Sequence, residues 1–204
     1  KKVIGADINP LARLITGVKL SNFDIDKLKC SLSKILEFDA GEDIDLPDVI
    51  NLDYWFDGRV QKKLGKLVNS ISEISDQKYS DFFRVCLSNL VRKVSFADPK
   101  ISVPVRIKNL NEFDNFGRNL EKHFEEIFRK IVNSNISRFE NKQRLSKDLT
   151  YEYELHSDSR SLSKEVTSES KKVDLIITSP PYASAQKYIR ASSLNLGWLN
   201  LANR

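Results

Sequence analysis

The stretch Val173-Asp174-Leu175-Ile176-Ile177-Thr178-Ser179-Pro180-Pro181-Tyr182 decides how the rest of the chain is read. Its first six residues form an apolar run typical of a strand buried on both faces of a parallel sheet. Two prolines then stop it, since neither can donate a ladder hydrogen bond. A strand ending this way delivers Ser179 to Tyr182 to the carboxyl edge of the sheet, where open α/β folds bind ligands. Each proline fixes its own φ and restricts the residue before it. The carbonyls of Ser179 and Pro180 therefore point in defined directions, and little is lost to ordering when a ligand arrives.

Working outward, the residues before this stretch supply a second strand. Tyr151, Tyr153 and Leu155 alternate with Glu152 and Glu154, and the run ends at His156-Ser157-Asp158. A third strand opens the chain, where Val3-Ile4-Gly5-Ala6 runs into Asp7-Ile8-Asn9-Pro10 and then into the helical spacing of Leu11, Leu14, Ile15 and Val18. Asn9 is a good N-cap, and Pro10 suits the first helical position because its missing N–H costs nothing there. After Tyr182, the segment from Tyr188 to Leu201 is amphipathic and is expected to be a helix.

Between these ends the periodicity is helical. Ile25 to Leu36 follow the acidic caps Asp24 and Asp26. Val60 to Ile74, Phe82 to Val94 and Phe113 to Ile131 each repeat apolar residues at spacings of three and four. The phenylalanines Phe113, Phe116 and Phe124 read as helix core. The expected fold class is α/β: an α/β unit formed at both ends of the chain by residues 1–22 and 150–204, interrupted by a large helical insertion over residues 23–149.

Composition narrows the function classes. An apolar fraction of 40% suffices for a packed core, and no apolar stretch approaches the roughly 20 residues of a membrane span. No membrane partner is expected, and a cytoplasmic location is the default. Cys30 and Cys86 lie far apart without metal-ligand spacing and read as buried thiols, so no metal is expected. His123 and His156 have no partner arrangement that suggests a base or a metal. The net charge of +5 and pI near 9.1 fit a polyanionic partner, with basic residues such as Lys62, Lys63, Lys66, Arg92, Lys93, Arg106, Lys108, Arg129, Lys130, Arg138, Lys142 and Arg144 spread along the insertion.

The chemistry concentrates at Ser179 to Tyr182. The Ser179 hydroxyl and the Pro180 carbonyl form two acceptors for an exocyclic amino group whose lone pair is conjugated into an aromatic ring. Accepting its two hydrogens aims the nitrogen at an electrophilic methyl group, while Tyr182 stacks on the ring. Taken singly, Pro-Pro after a strand is a stop signal, Asp7 to Pro10 a helix cap and Asp158 a turn residue. Their order along the chain is what points to a site.

In that order the sequence resembles the DNA amino-methyltransferases that modify adenine-N6 or cytosine-N4, whose signature is Asp, Asn or Ser followed by Pro-Pro-Tyr or Pro-Pro-Phe. Thr178-Ser179-Pro180-Pro181-Tyr182 matches after an Asp-Leu-Ile-Ile strand, and the likeness extends through Ala183 to Arg190 and through Leu196-Gly197-Trp198-Leu199. Gly5-Ala6-Asp7-Ile8-Asn9-Pro10 looks like the motif whose acid accepts from the cofactor ribose, which implies cofactor binding by Asp7 and Ile8. Ser157-Asp158-Ser159-Arg160 looks like the motif whose acid meets the cofactor adenine, which implies that role for Asp158. The resemblance implies a partial Rossmann-like methyltransferase sheet, S-adenosyl-L-methionine as cofactor, catalysis by Ser179, Pro180, Pro181 and Tyr182, DNA with a base flipped from the duplex as partner, and a restriction-modification setting.

The family's first motif, a Phe-x-Gly-x-Gly loop, is reproduced by none of the seven glycines. Methionine is absent, including at position 1. The chain is therefore read as an internal fragment, a degenerate product or one piece of a split enzyme, with the loop supplied by an upstream segment or a second subunit. Without the strand that in the family separates them, Val3–Ala6 and Val173–Thr178 are expected to be unpaired or re-paired. The alternatives are a non-catalytic nucleic-acid-binding or interaction module derived from a methyltransferase, or an enzyme that methylates an RNA base or a protein glutamine.

Overall fold

The computed structural model describes residues 1–38, 41, 44–107, 113–145, 150–160, 162, 173–179 and 186–201. Strand β1 (Lys2–Ala6) leads into helix α1 (Pro10–Leu20), where the Asn9 side chain accepts from the Leu11 N–H at 3.0 Å. Helix α2 (Ile25–Glu37) begins at Asp24, whose carboxylate takes the N–H groups of Asp26 and Lys27 at 2.9 and 3.0 Å. After the single turn α3 (Leu52–Trp55) come α4 (Gly58–Ser72), capped by Asp57, and α5 (Gln77–Lys93), capped by Asp76. Short side-chain acceptors thus satisfy donors that the first turn of each of these capped helices leaves free. Helix α6 (Phe113–Leu145), strand β2 (Glu152–His156) and helix α7 (Gln186–Trp198) complete the order.

The protein is mixed α/β, mostly helical, with one small parallel sheet among the described residues. β1 pairs with β2 in the register Lys2↔Glu152 to Ala6↔His156. Alternation along paired strands puts Val3, Gly5, Tyr153 and Leu155 on one face. Helix α1 covers that face closely: a Cβ on Gly17 would lie 3.4 Å from the Tyr153 hydroxyl, which also sits 3.2 Å from Ser21 Oγ. The opposite face carries Lys2, Ile4, Glu152 and Glu154, all exposed, with Lys2 Nζ 2.8 Å from Glu154.

One hydrophobic core runs through α1, α2, α4, α5, α6 and α7. The stripe of α6 does not end at Ile131; Val132, Ile136 and Phe139 continue it, because the spacing of three and four is kept. Phe23, in the link between α1 and α2, is the meeting point. Its ring lies edge-on to Tyr79, Phe82 and Phe139 at centroid distances of 5.6, 5.3 and 5.0 Å. Each such pair adds about 0.5–1.5 kcal/mol beyond burial. The far end of α6 is clamped to the same link: Lys142 Nζ donates to the carbonyls of Lys19 and Ser21 at 2.8 and 3.1 Å, and Gln143 donates to that of Phe23 at 2.6 Å.

Two expectations are corrected. Val173–Thr178 is not a buried strand: the segment has no regular secondary structure, and Leu175, Ile176 and Ile177 are 73%, 79% and 86% exposed. An apolar run becomes a sheet strand only beside other strands, and no described strand pairs with it. Cys30 is exposed rather than buried, on the outer side of α2; Cys86 is buried, and burial pushes its thiol pKa up. No described helix is long and apolar enough to cross a membrane.

Gly117 of α6 packs directly on the cap of α4, where a Cβ would lie 2.6 Å from the Asp57 carboxyl carbon and 3.0 Å from its Cβ. Alanine in a helix interior ordinarily gains about 1 kcal/mol over glycine. Here the sign reverses. Gly117→Ala is expected to destabilise by roughly 1–3 kcal/mol, through overpacking and a displaced cap, as measured by urea unfolding.

Candidate functional site at the carboxyl edge of the sheet

Because the strands are parallel and in register, both chains leave the sheet on the same side. Ala6 faces His156, the Asp7 N–H donates to the His156 carbonyl at 3.1 Å, and Asp7 and Asp158 emerge from neighbouring strand ends. Asp7 is exposed. Its Oδ1 accepts the Asn9 N–H at 2.8 Å, which fixes the turn into α1. The Arg13 guanidinium reaches back from α1 to the carbonyls of Asp7 and Ile8, holding the backbone between strand and helix. The Ile8 side chain is left 78% exposed beside Asp7.

Asp158 is held by Arg160. The guanidinium donates Nε to both carboxylate oxygens at 3.0 Å and Nη2 to Oδ2 at 2.7 Å, and the Arg160 backbone N–H adds a bond of 2.9 Å. These bonds hold the Asp158 carboxyl down to about 2. His156 ends the strand with its Nε2 4.0 Å from Glu154, and exposed His123 pairs with Glu126 at 3.2 Å. Among the described residues no cluster of three or more His, Cys, Asp or Glu is arranged to hold a metal ion.

Ser179 is exposed at the end of its segment; Pro180, Pro181 and Tyr182 lie outside the described residues. Helix α7, the next described element after them, is firmly placed. It is tied to the strand edge by the Asn9 amide, which donates to Ser192 Oγ at 3.1 Å. Its far end is buried: Trp198 packs edge-on to Phe56 at 5.5 Å, and Gly197 lets Val49 approach. The helix stops at Asn200, which takes a positive φ while Leu201 N–H returns to the Leu196 carbonyl at 2.8 Å and Asn200 N–H to that of Gly197 at 3.0 Å. Arg84 of α5 donates to the Leu199 carbonyl at 3.0 Å. The helix entered from Ser179–Tyr182 is thus fastened to the edge that presents Asp7.

Arg13 was not legible as part of this edge, and Asn9 and Arg160 were legible only as members of their motifs, not as the groups that hold its geometry. No spacing in the sequence announces Ser192 as the partner of Asn9. The basic residues divide as well. Arg92 is engaged by the carbonyls of Asp98, Ile101 and Ser102, Arg106 stacks over the rings of Tyr54 and Phe96, and Lys130 pairs with Glu126. Lys108 lies outside the described residues. Lys62, Lys63 and Lys66 instead line an open cavity of about 490 Å³ beside α4.

No family model matches the chain, and no solved structure matches it. It is similar to the type II methyltransferase M.MvaI of Kocuria varians, at 26% identity over an alignment of 223 residues that covers 98% of this chain and 46% of that protein. The chain spans about half the length of the curated relative it matches.

The Asp158–Arg160 geometry makes a direct prediction. A carboxyl whose folded pKa is depressed contributes stability above its unfolded pKa, near 3.9, and loses that contribution as pH falls through the folded pKa. An NMR titration of the Asp158 carboxyl carbon is expected to show a midpoint of about 2. Arg160→Gln should return it to the ordinary carboxylate range.

Proposed function

We propose that the chain is part of a DNA amino-methyltransferase that moves a methyl group from S-adenosyl-L-methionine to the exocyclic amino group of a base, cytosine-N4 or adenine-N6. The observation that carries the reading is the pair of carboxylates, Asp7 and Asp158, at the ends of adjacent parallel strands. Similarity to a type II methyltransferase over nearly the whole chain supports it, and suggests a restriction-modification setting.

The donor set suits the cofactor. Two partly or fully exposed carboxylates at adjacent strand ends can accept the hydroxyls of a ribose and the amino group of an adenine; Asp7 would take the first role and Asp158 the second, with both Asp158 oxygens also held by Arg160. The apolar Ile8 side chain beside Asp7 gives the adenine a surface. When bound, the cofactor supplies an electrophilic methyl group. On the chain's side, the Ser179 hydroxyl and Pro180 carbonyl would accept the two amino hydrogens, with Pro181 stiffening the turn and Tyr182 stacked against the flipped base. The amino proton leaves to water after transfer, so neither histidine is needed as a base.

In this reading residues 1–22 and 150–204 are the partial methyltransferase core and 23–149 an insertion into it. The glycine-rich cofactor loop belongs to another segment of the protein or to a second subunit. The link between Asn9 and Ser192 gives α7 the task of bringing Ser179–Tyr182 to the edge that holds the carboxylates.

Titration calorimetry of S-adenosyl-L-methionine is the test. Binding is expected when the segment or subunit that carries the glycine-rich loop is present, weakened roughly 10- to 100-fold by Asp7→Ala, the loss of a charge-assisted hydrogen bond. Binding untouched by both Asp7→Ala and Asp158→Ala would exclude the site. In an assembly that methylates DNA, Ser179→Ala should cut turnover and leave cofactor affinity unchanged, with nucleoside mass spectrometry distinguishing the two target bases.

A further inference from the structure

Helix α4 carries four basic residues, Arg59, Lys62, Lys63 and Lys66, and no acidic one between Gly58 and Ser72. Helices α2, α5 and α6 mix both signs. The spacing of 0, 3, 4 and 7 puts all four on one face, opposite the buried Val60, Leu64, Leu67 and Ile71. Arg59 is engaged, 2.7 Å from Asp57 and 3.8 Å from Glu121. Among the described residues Lys62, Lys63 and Lys66 have no ion-pair partner, and Lys62 and Lys66 are exposed.

We propose that the Lys62, Lys63 and Lys66 face of α4 is a contact surface for the phosphate backbone of DNA, an inference that rests on the DNA reading above. From Lys62 to Lys66 the helix rises about 6 Å, roughly the axial span of three successive phosphates on one strand. Glu121 and Glu125 form the opposite wall of the cavity, so a polyanion rides on the exposed lysine ridge instead of sinking between the helices. Three unpaired cations at fixed helical positions suit an evenly charged rod, and backbone contacts of this kind set register without reading sequence.

The test is fluorescence anisotropy with a labelled duplex of arbitrary sequence, titrated at several salt concentrations. Three proteins are compared: the chain, its K62Q/K63Q/K66Q variant and a charge-matched K29Q/K93Q/K130Q variant. The α4 variant is expected to lose affinity at least about tenfold and to flatten the salt slope by roughly 2 to 3, with far smaller changes in the control. Far-UV circular dichroism checks folding; should the triple variant unfold, K62Q/K66Q, at two exposed positions, serves with a proportionally smaller loss. Equal effects in both triple variants would overturn the proposal, since net charge alone would then explain them. Displacement of DNA by polyglutamate at equal charge concentration would overturn it in favour of an acidic peptide. Failure of the unaltered chain to bind DNA would instead overturn the DNA reading on which it rests.

Discussion

Everything at the candidate site depends on the parallel pairing of β1 with β2. Lys1 and Thr150 are joined by a hydrogen bond across 149 positions of sequence, and helices α1 to α6 form the crossover between the two strands. Parallel strands need a long connection in any case, and closing a longer one is cheap, about 0.6 kcal/mol for each doubling of length. What matters is where the connection ends. Lys142 and Gln143, at the end of α6, grip the carbonyls of the α1–α2 link, so the chain leaves the helical body beside the point where it entered. Phe23, ringed by three aromatic side chains, fixes that point within the core.

Local signals were legible and relational ones were not. Asn9, Asp24 and the apolar spacing of α1, α2, α4 and α5 announce their helices, because a cap and its first turn are neighbours in sequence. The alternation of Tyr151 to Leu155 announces β2 for the same reason. Val173 to Thr178 has the composition of a core strand, but whether such a run is buried depends on what lies beside it, and composition does not contain its neighbours. Cys30 is a similar case: helical periodicity places it only within a turn, and the side of α2 that meets α4 and α6 is set by the fold. Asp7 and Asp158 could be read singly as a cap and a turn residue; their adjacency is a property of the sheet.

The protein separates its charges by task. Acidic groups sit at the strand ends, each held in place by a local partner, Asn9 for Asp7 and Arg160 for Asp158. Among the described residues, Lys62, Lys63 and Lys66 of α4 have no ion-pair partner. Helix α7 packs against both α1 and α5, which joins the strand edge to the helical body through Asn9, Ser192, Arg84 and Leu199. A change in the seating of α7 would therefore be felt at both ends.

The exposed run from Val173 to Ile177 has a cost in solution. Four apolar residues in five positions, with a single charge among them, are the kind of segment that recruits copies of itself into stacked strands. The sequence surrounds this one with brakes: Lys171 and Lys172 before it, Asp174 inside it, and Pro180 and Pro181 shortly after. Proline cannot donate a ladder hydrogen bond, so these two residues also oppose the addition of a neighbouring copy to the run, and their replacement is expected to bring aggregation.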